Sequence, residues 1–307
     1  MVKVFIDGSA GTTGLRIADR LAQRKDLELL ILSDEVRKDA SARKEALFAA
    51  DVAFLCLPDD AAREAVALAE GSKVKIIDTS TAHRTNDSWA YGFPELAGKR
   101  QLIESSNRIA NPGCHASGFI ALIAPLVEQG IIAKDAKLSC FSLTGYSGGG
   151  KKMIAQYEDA NRDILYDAPR QYALGQTHKH LPEMVKLCGL EHAPVFCPIV
   201  ADFYSGMEVT VSLFGSDIKG SIEDIRQLYA SYYQTGLVKY SDATDPDGLL
   251  SAGAYSGRDD MQVSVAGNAD RIILTSRFDN LGKGASGAAI QNMNILLGLD
   301  EATGLNV

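Results

Sequence analysis

The stretch Ala110-Asn111-Pro112-Gly113-Cys114-His115-Ala116-Ser117-Gly118 places a thiol where a tight turn feeds a helix. Pro112-Gly113 interrupts any regular element, while Phe119, Ile120, Leu122, Ile123 and Leu126 recur at helical spacing. Cys114 therefore starts a helix, where unpaired backbone N–H groups and the positive end of the dipole favour a sulfur anion and can hold an oxyanion. That is a setting for covalent catalysis. The ordinary alternative is a small buried cysteine; the turn, the helix start and a downstream histidine pair favour the nucleophile.

That pair lies in Thr177-His178-Lys179-His180-Leu181-Pro182-Glu183-Met184-Val185. Pro182 suits a first helical position and Glu183 a first turn, so the histidines lie in the approach to a helix. An extended approach sends their rings in opposite directions, one toward a thiol and the other toward substrate. Histidine moves protons near neutral pH, and a nearby carboxylate can fix its tautomer. His-x-His without a third ligand close by is a thin signal for a metal, and no metal site is expected.

The elements that must position these groups begin with an apolar strand over residues 2 to 6. It runs into Gly8-Ser9-Ala10-Gly11-Thr12-Thr13-Gly14 and then Leu15, Ala18, Leu21 and Ala22 at helical spacing. Strand, glycine loop and helix open a dinucleotide-binding unit, in which glycines let the backbone approach a pyrophosphate held at the helix N-terminus. The spacing is GxxGxxG, not GxGxxG. A second apolar run, 27 to 33, ends at Ser33-Asp34-Glu35-Val36-Arg37-Lys38. Asp34 suits the ribose hydroxyls of NAD, whereas Ser33, Arg37 and Lys38 suit the 2′-phosphate of NADP, and the spacing leaves both open. Strands over 51 to 57, ending at Pro58, and over 74 to 78, with a helix over 59 to 70, continue the alternation. The pattern is a parallel sheet covered on both faces, with ligands at the strand carboxyl ends. Arg84 lies in a loop at such an end, placed to hold an anionic substrate group.

From Lys137 the pattern changes. Residues 138 to 143 alternate, and Thr144-Gly145-Tyr146-Ser147-Gly148-Gly149-Gly150-Lys151-Lys152 forms a loop before a helix over 151 to 163. Long β-type runs at 194 to 214 and 261 to 278, separated by an amphipathic helix near 221 to 234, indicate a mixed or antiparallel sheet. Asp279-Asn280-Leu281-Gly282-Lys283-Gly284-Ala285-Ser286-Gly287 then starts a C-terminal helix. The expected organisation is an α/β chain: a Rossmann-like domain over 1–113 joined by the terminal helix 284–307, and an α+β catalytic and oligomerisation domain over 114–283. Gly145 to Lys151 fits GxxxxGK, but Lys152 stands where a magnesium-binding hydroxyl belongs. Gly145 to Gly149 also fits GxSxG, a rival reading in which Ser147 is a serine-hydrolase nucleophile. That rival leaves the glycine loop and Cys114 without a role.

Composition narrows the partners. A chain of 307 residues, 46% hydrophobic, supports two cores. A net charge of −8 without a dense Lys/Arg block argues against nucleic acid and anionic membrane. No apolar run has membrane-spanning length and no signal peptide fits ahead of the glycine loop, so a cytoplasmic protein is expected. Cys56, Cys114, Cys140, Cys188 and Cys197 are widely spaced without a CxxC pair, which argues against a disulfide frame or a zinc site.

GxxGxxG, Tyr91-Gly92-Phe93-Pro94-Glu95-Leu96, Asn111-Pro112-Gly113-Cys114, the Thr144 to Gly150 loop, His178 to Glu183 and Asn280 to Gly287 occur in one order along the chain. In that order the sequence resembles the N-acetyl-gamma-glutamyl-phosphate reductases, in their shorter variety, within the wider group that contains aspartate-semialdehyde dehydrogenase. The likeness spans nearly the whole chain. His115 replaces a tyrosine often found after the cysteine in the longer variety, and Thr144 stands where serine is common. The resemblance implies NADPH-dependent reduction of an acyl phosphate to a semialdehyde with release of phosphate, in arginine biosynthesis. It implies Cys114 as nucleophile, His178 as acid–base residue and Glu183 as its partner, with Ser147, Tyr172 and His180 touching this small-molecule substrate. Cofactor contacts would come from Gly8, Gly11, Thr12, Thr13, Gly14, Ser33, Arg37, Pro58, Asn280 and Gly284, and the resemblance tips the cofactor to NADP. The nearest competing activity is that of aspartate-semialdehyde dehydrogenase, and a homodimer or homotetramer is expected.

Overall fold

A computed structural model describes residues 1–307, which form two compact units: Met1–Pro112 with Ala285–Leu305, and Gly113–Gly284 with Asn306–Val307. No helix is long and apolar enough to cross a membrane. In the first unit, β1 (Val2–Asp7), β2 (Leu27–Leu30), β3 (Val52–Leu55), β4 (Lys75–Asp78), β5 (Ala90–Tyr91) and β6 (Arg108–Ala110) pair in parallel, in the order β2-β1-β3-β4-β6-β5. Alternation along β1 decides what each side buries. Val4 and Ile6 meet Ile17 and Leu21 of α1 (Thr12–Leu21) and Ile290 and Met293 of the C-terminal helix Gly287–Leu296. Phe5 points the other way, into Leu47 of α2 (Ala40–Ala49) and Ala62 and Ala65 of α3 (Asp59–Leu68). Cover on both faces is why Val52 to Leu55 are buried at four successive positions. The second apolar run ends as a strand at Leu30 rather than Ser33, and by Ser33 the chain is already turning: Val36 and Arg37 both donate their N–H to its carbonyl.

The second unit holds α5 (Cys114–Glu128), β7 (Ser139–Gly145), α6 (Gly150–Glu158), β8 (Arg170–Gln171), α7 (Leu181–Cys188), β9 (Val195–Ala201), β10 (Met207–Phe214), α8 (Ile222–Tyr232), β11 (Val238–Tyr240), β12 (Met261–Gly267) and β13 (Arg271–Phe278). (The short first-unit helix Lys99–Ser105 counts as α4.) The strands form a mixed sheet, β11-β12-β13-β10-β7-β9-β8. The expected α/β fold with a parallel-sheet domain and a second α+β domain is what the chain adopts. Helix α5 is buried from His115 to Val127, and it lies so close to the sheet that a methyl at Gly118 would stand 2.5 Å from Val209 and 2.7 Å from Ser276. The long run 194 to 214 is two strands, broken near Gly206, whose φ of +125° turns the chain. The helix expected to reach 163 stops at Glu158, where Asp159 accepts from Asn161 N–H and starts a turn. On the sheet face away from α5, Phe141, Val195, Phe214 and Ile273 remain exposed.

Candidate active site

Cys114 is the first residue of α5, after Gly113 in extended conformation, and no side chain caps that helix start. A helix start of this kind turns first-turn N–H groups outward, where they can hold an oxyanion. Behind the sulfur, Gly284 has no room for a side chain: a methyl there would lie 2.9 Å from the Cβ of Cys114. Glu183, 1% exposed in the first turn of α7, accepts the Gly113 N–H at 3.2 Å through Oε2 and places Oε1 4.0 Å from His180 Nε2. The carboxylate thus ties α7 to the turn that presents the thiol.

The two histidine rings do not part as an extended approach would require. The chain turns before α7, Leu181 N–H donates to the His178 carbonyl, and the ring centroids of His178 and His180 stand 4.6 Å apart at 87°. The helix starts one residue earlier than expected, with Leu181 ahead of Pro182. The backbone N–H of His180 donates to Nδ1 of His178 at 3.2 Å. A neutral ring accepting at Nδ1 carries its proton on Nε2, so His178 is held as a donor. His115, 3% exposed, packs against both rings at 5.6 Å and against Phe196 at 5.3 Å. Its Nδ1 hydrogen-bonds Ser142 Oγ and its Nε2 hydrogen-bonds Tyr172 Oη, each at 2.6 Å. Burial, then the neighbouring His178, lowers His115 to about 3, so it stays neutral. Burial and the nearby Cys114 sulfur hold the Tyr172 phenol above its usual value. Sequence reasoning noted His115 only as a family departure and missed Ser142. A histidine directly after the nucleophile and a serine on the inward positions of β7 were the available signals.

Ser147 is 1% exposed in the short 3₁₀ turn Tyr146–Gly149, where its Oγ accepts from Asn280 Nδ2 at 3.0 Å. It lacks the positive φ of a strained nucleophile elbow. The hydrolase reading is therefore corrected: this hydroxyl is an acceptor in a packed turn. Asn280 also takes the Gly206 N–H on Oδ1, so its amide braces the Ser147 turn. Asp279, fully buried, accepts from Leu281 and Gly282 N–H, Gly257 N–H and Ser205 Oγ, and sets the path of the Asn280–Gly284 segment. Arg84 is buried in its loop. It is 9% exposed, with Nε on the Asn111 carbonyl and Nη2 on the Thr79 carbonyl, both at 2.9 Å, and so places its charge at the carboxyl ends of β4 and β6.

The glycine loop fits a dinucleotide. Helix α1 starts at Thr12 after Gly11 with no side-chain cap, leaving its first-turn donors for a pyrophosphate. The three glycines differ in purpose. A methyl at Gly8, whose φ is +87°, would lie 2.3 Å from the Cys56 carbonyl, and one at Gly14 would lie 2.4 Å from the Gly8 carbonyl. At Gly11 a methyl would meet only ordinary contacts, the nearest being the Gly8 carbonyl at 3.4 Å, so the fold itself tolerates a side chain there. Gly14→Ala should destabilise the unit by about 1–3 kcal/mol through overpacking. Gly11→Ala should keep the wild-type melting curve yet weaken NADP binding by roughly tenfold or more, since it fills the path of the phosphates. Thermal melts and fluorescence titration with NADP separate the two, and a Gly11→Ala protein with undiminished affinity would remove the phosphate from this loop. After β2, Arg37 pairs with Asp34 at 2.8 Å, with the two side chains 41% and 89% exposed. A surface pair of this kind is worth about 0–1 kcal/mol, so it costs little to open. Ser33 lies at this same turn, and Pro58 caps α3 directly after β3.

Residues 114–280 match the semialdehyde dehydrogenase dimerisation domain, and residues 34–105 match the semialdehyde dehydrogenase NAD binding domain. The N-acetyl-gamma-glutamyl-phosphate reductase 2 of Nostoc sp. is 46% identical, covering 99% of this chain and 99% of its own length. The N-acetyl-gamma-glutamyl-phosphate reductase of Brucella ovis is 44% identical, covering 96% of this chain and 99% of its own. Among solved structures, aspartate semialdehyde dehydrogenase II of Vibrio cholerae superposes with a TM-score of 0.73 at 17% identity, over 97% of this chain and 98% of that one. Aspartate semialdehyde dehydrogenase from Francisella tularensis gives 0.72 at 15% identity, over 97% and 100%. At such identities the likeness is one of fold.

Proposed function

Because the chain belongs to the semialdehyde dehydrogenase family, and within it to the N-acetyl-gamma-glutamyl-phosphate reductases, we propose that Cys114 carries the acyl group as a thioester between loss of phosphate and reduction. The protein reduces N-acetyl-gamma-glutamyl phosphate to N-acetylglutamate semialdehyde with release of phosphate, using NADP as cofactor, a step of arginine biosynthesis. Aspartate-semialdehyde dehydrogenase is a relative in fold. The observation that carries the covalent reading is the sulfur's place at the uncapped start of a buried helix, near the Tyr172 hydroxyl and just after the Gly113 N–H that Glu183 holds.

The Cys114 thiolate attacks the acyl carbonyl, its C–S bond forms, and the C–O bond to phosphorus breaks with the electron pair leaving on phosphate. First-turn N–H groups of α5 hold the oxyanion of this adduct. Bound NADPH supplies the hydride that the thioester carbon accepts. The resulting thiohemiacetal anion reforms its carbonyl and expels sulfur as thiolate, which restores Cys114. His178, donating from Nε2, handles the proton side of this chemistry by stabilising the sulfur and oxygen anions. Glu183 fixes the Gly113 turn and the His180 ring. Ser147, Tyr172 and His180 line the substrate, and the charge of Arg84 attracts its phosphate. Gly8 to Gly14, Ser33, Arg37 and Pro58 hold the nucleotide.

Run in reverse, the enzyme should reduce NADP with N-acetylglutamate semialdehyde only when phosphate is present. We expect kcat/KM roughly 10²-fold or more above that for aspartate semialdehyde, the discrimination available to a site built for an amide. Parity between the two aldehydes would reject this substrate assignment.

The dimerisation-domain match points to an oligomer, and we assign the interface to the exposed face carrying Phe141, Val195, Phe214 and Ile273. Light scattering should give a dimer or tetramer, and Phe141→Asp should shift it toward monomer; a wild-type monomer at working concentration would dismiss the interface. A doubly ionised acyl phosphate does not cross a bilayer unaided, and we place the reaction in the cytoplasm.

A further inference from the structure

The hydrogen bonds of the imidazole cluster fix a direction. His115 is neutral, so one of its ring nitrogens carries hydrogen and the other a lone pair. Its two partners are hydroxyls in different surroundings. Ser142 is fully buried, and its Oγ has His115 Nδ1 as its one partner at 2.6 Å. Tyr172 is only partly buried, and its hydroxyl meets His115 Nε2 at 2.6 Å. If Tyr172 donated to Nε2, Nδ1 would carry the hydrogen and donate to Ser142. The buried Ser142 hydrogen would then have no acceptor, at a cost of about 1–3 kcal/mol. In the reverse arrangement Ser142 donates to Nδ1 and Nε2–H donates to the Tyr172 oxygen. Both His115 nitrogens and the Ser142 hydroxyl are then satisfied, and the one uncommitted hydrogen of the three groups is the phenolic one, on the hydroxyl that senses the Cys114 sulfur.

We propose that Ser142 and His115 form a one-way relay, Ser142 O–H to His115 Nδ1 and His115 Nε2–H to Tyr172 Oη, which turns the Tyr172 hydrogen toward the acyl group carried on Cys114. The inference rests on the thioester reading and adds two positioning residues to it: neither touches substrate, and both act through Tyr172. The edge-to-face contacts of His115 with His178 and Phe196 hold the ring while its nitrogens set the direction. A charged imidazolium could not perform this task, because both nitrogens would donate and the Ser142 hydrogen would again be stranded.

The test is a double-mutant cycle on the purified full-length enzyme, read as kcat in the semialdehyde, phosphate and NADP direction. Tyr172→Phe should lower kcat about 10- to 100-fold, as expected for loss of one oxyanion donor. Ser142→Ala and His115→Phe should each lower kcat about tenfold with KM for NADP unchanged, and neither should lower it further in the Tyr172→Phe background. His115→Gln, whose amide nitrogen falls near Nε2, should recover most of the loss. Additive losses in the cycle, or no recovery by glutamine, would overturn the relay while leaving the thioester reading intact. Undiminished activity of Tyr172→Phe would instead show that the tyrosine plays no part in the reaction, and would remove the relay with it. Ring ¹⁵N shifts of the wild-type protein give an answer independent of any variant's folding: the Nε2–H tautomer at His115 supports the relay, and the Nδ1–H tautomer overturns it.

Discussion

Cys114→Ala lowers turnover by at least ~10⁴-fold, on the scale seen when a covalent nucleophile is removed, while NADP affinity stays within about twofold. The split follows from where the parts lie. The thiol opens α5, whereas the loop expected to take the pyrophosphate, Gly8 to Gly14, joins β1 to α1, so the truncation spares the pyrophosphate's contacts. Removing one sulfur from a partly buried position creates little cavity, so the melting curve should move by only a few degrees, for about 1 kcal/mol. Incubation of the wild type with acyl phosphate in the absence of NADPH should yield an intact-mass adduct that hydroxylamine removes, and the variant should yield none. Hydride transfer persisting in Cys114→Ala near the wild-type rate would mean that the acyl group is reduced without ever being attached to the protein.

His178→Ala should lower kcat by ~10²–10³-fold, and His180→Ala by about tenfold or less. The asymmetry comes from the backbone. The His180 contribution to His178 is its main-chain N–H, which survives replacement of the side chain, whereas the Nε2 donor belongs to the His178 ring itself. A residue that only donates can be replaced by another donor. His178→Gln should therefore keep activity within roughly 30-fold of the wild type, a retention that a proton-accepting base would not allow. A glutamine variant as weak as the alanine one would return His178 to the role of base, and a larger loss at His180 would exchange the two assignments. Steady-state kinetics at saturating phosphate and NADP distinguish these outcomes.

The parts of the site that were legible in the sequence are those whose signals are local. Pro112-Gly113 followed by a helical stripe marks Cys114, and strand, glycines and helix mark the nucleotide loop, because turn chemistry and periodicity act over a few residues. Helix α2 gave no such signal: of its residues only Arg43 and Leu47 are buried, too few to draw a stripe. The direction of the two histidines was misjudged for a related reason. Their separation by one residue predicts opposite sides only in extended chain, and a turn closed by Leu181 N–H brings the rings together. The Ser142–His115–Tyr172 chain joins β7, α5 and the segment after β8, so only tertiary structure could reveal it.

The first unit takes Ala285–Leu305 from the far end of the chain. Ile290 and Met293 cover Val4, Ile6, Phe54 and Ile77, so this flank of the sheet stays open until the chain has passed through the second unit and returned. A fragment ending at Pro112 would therefore expose an apolar flank that the intact chain keeps from water.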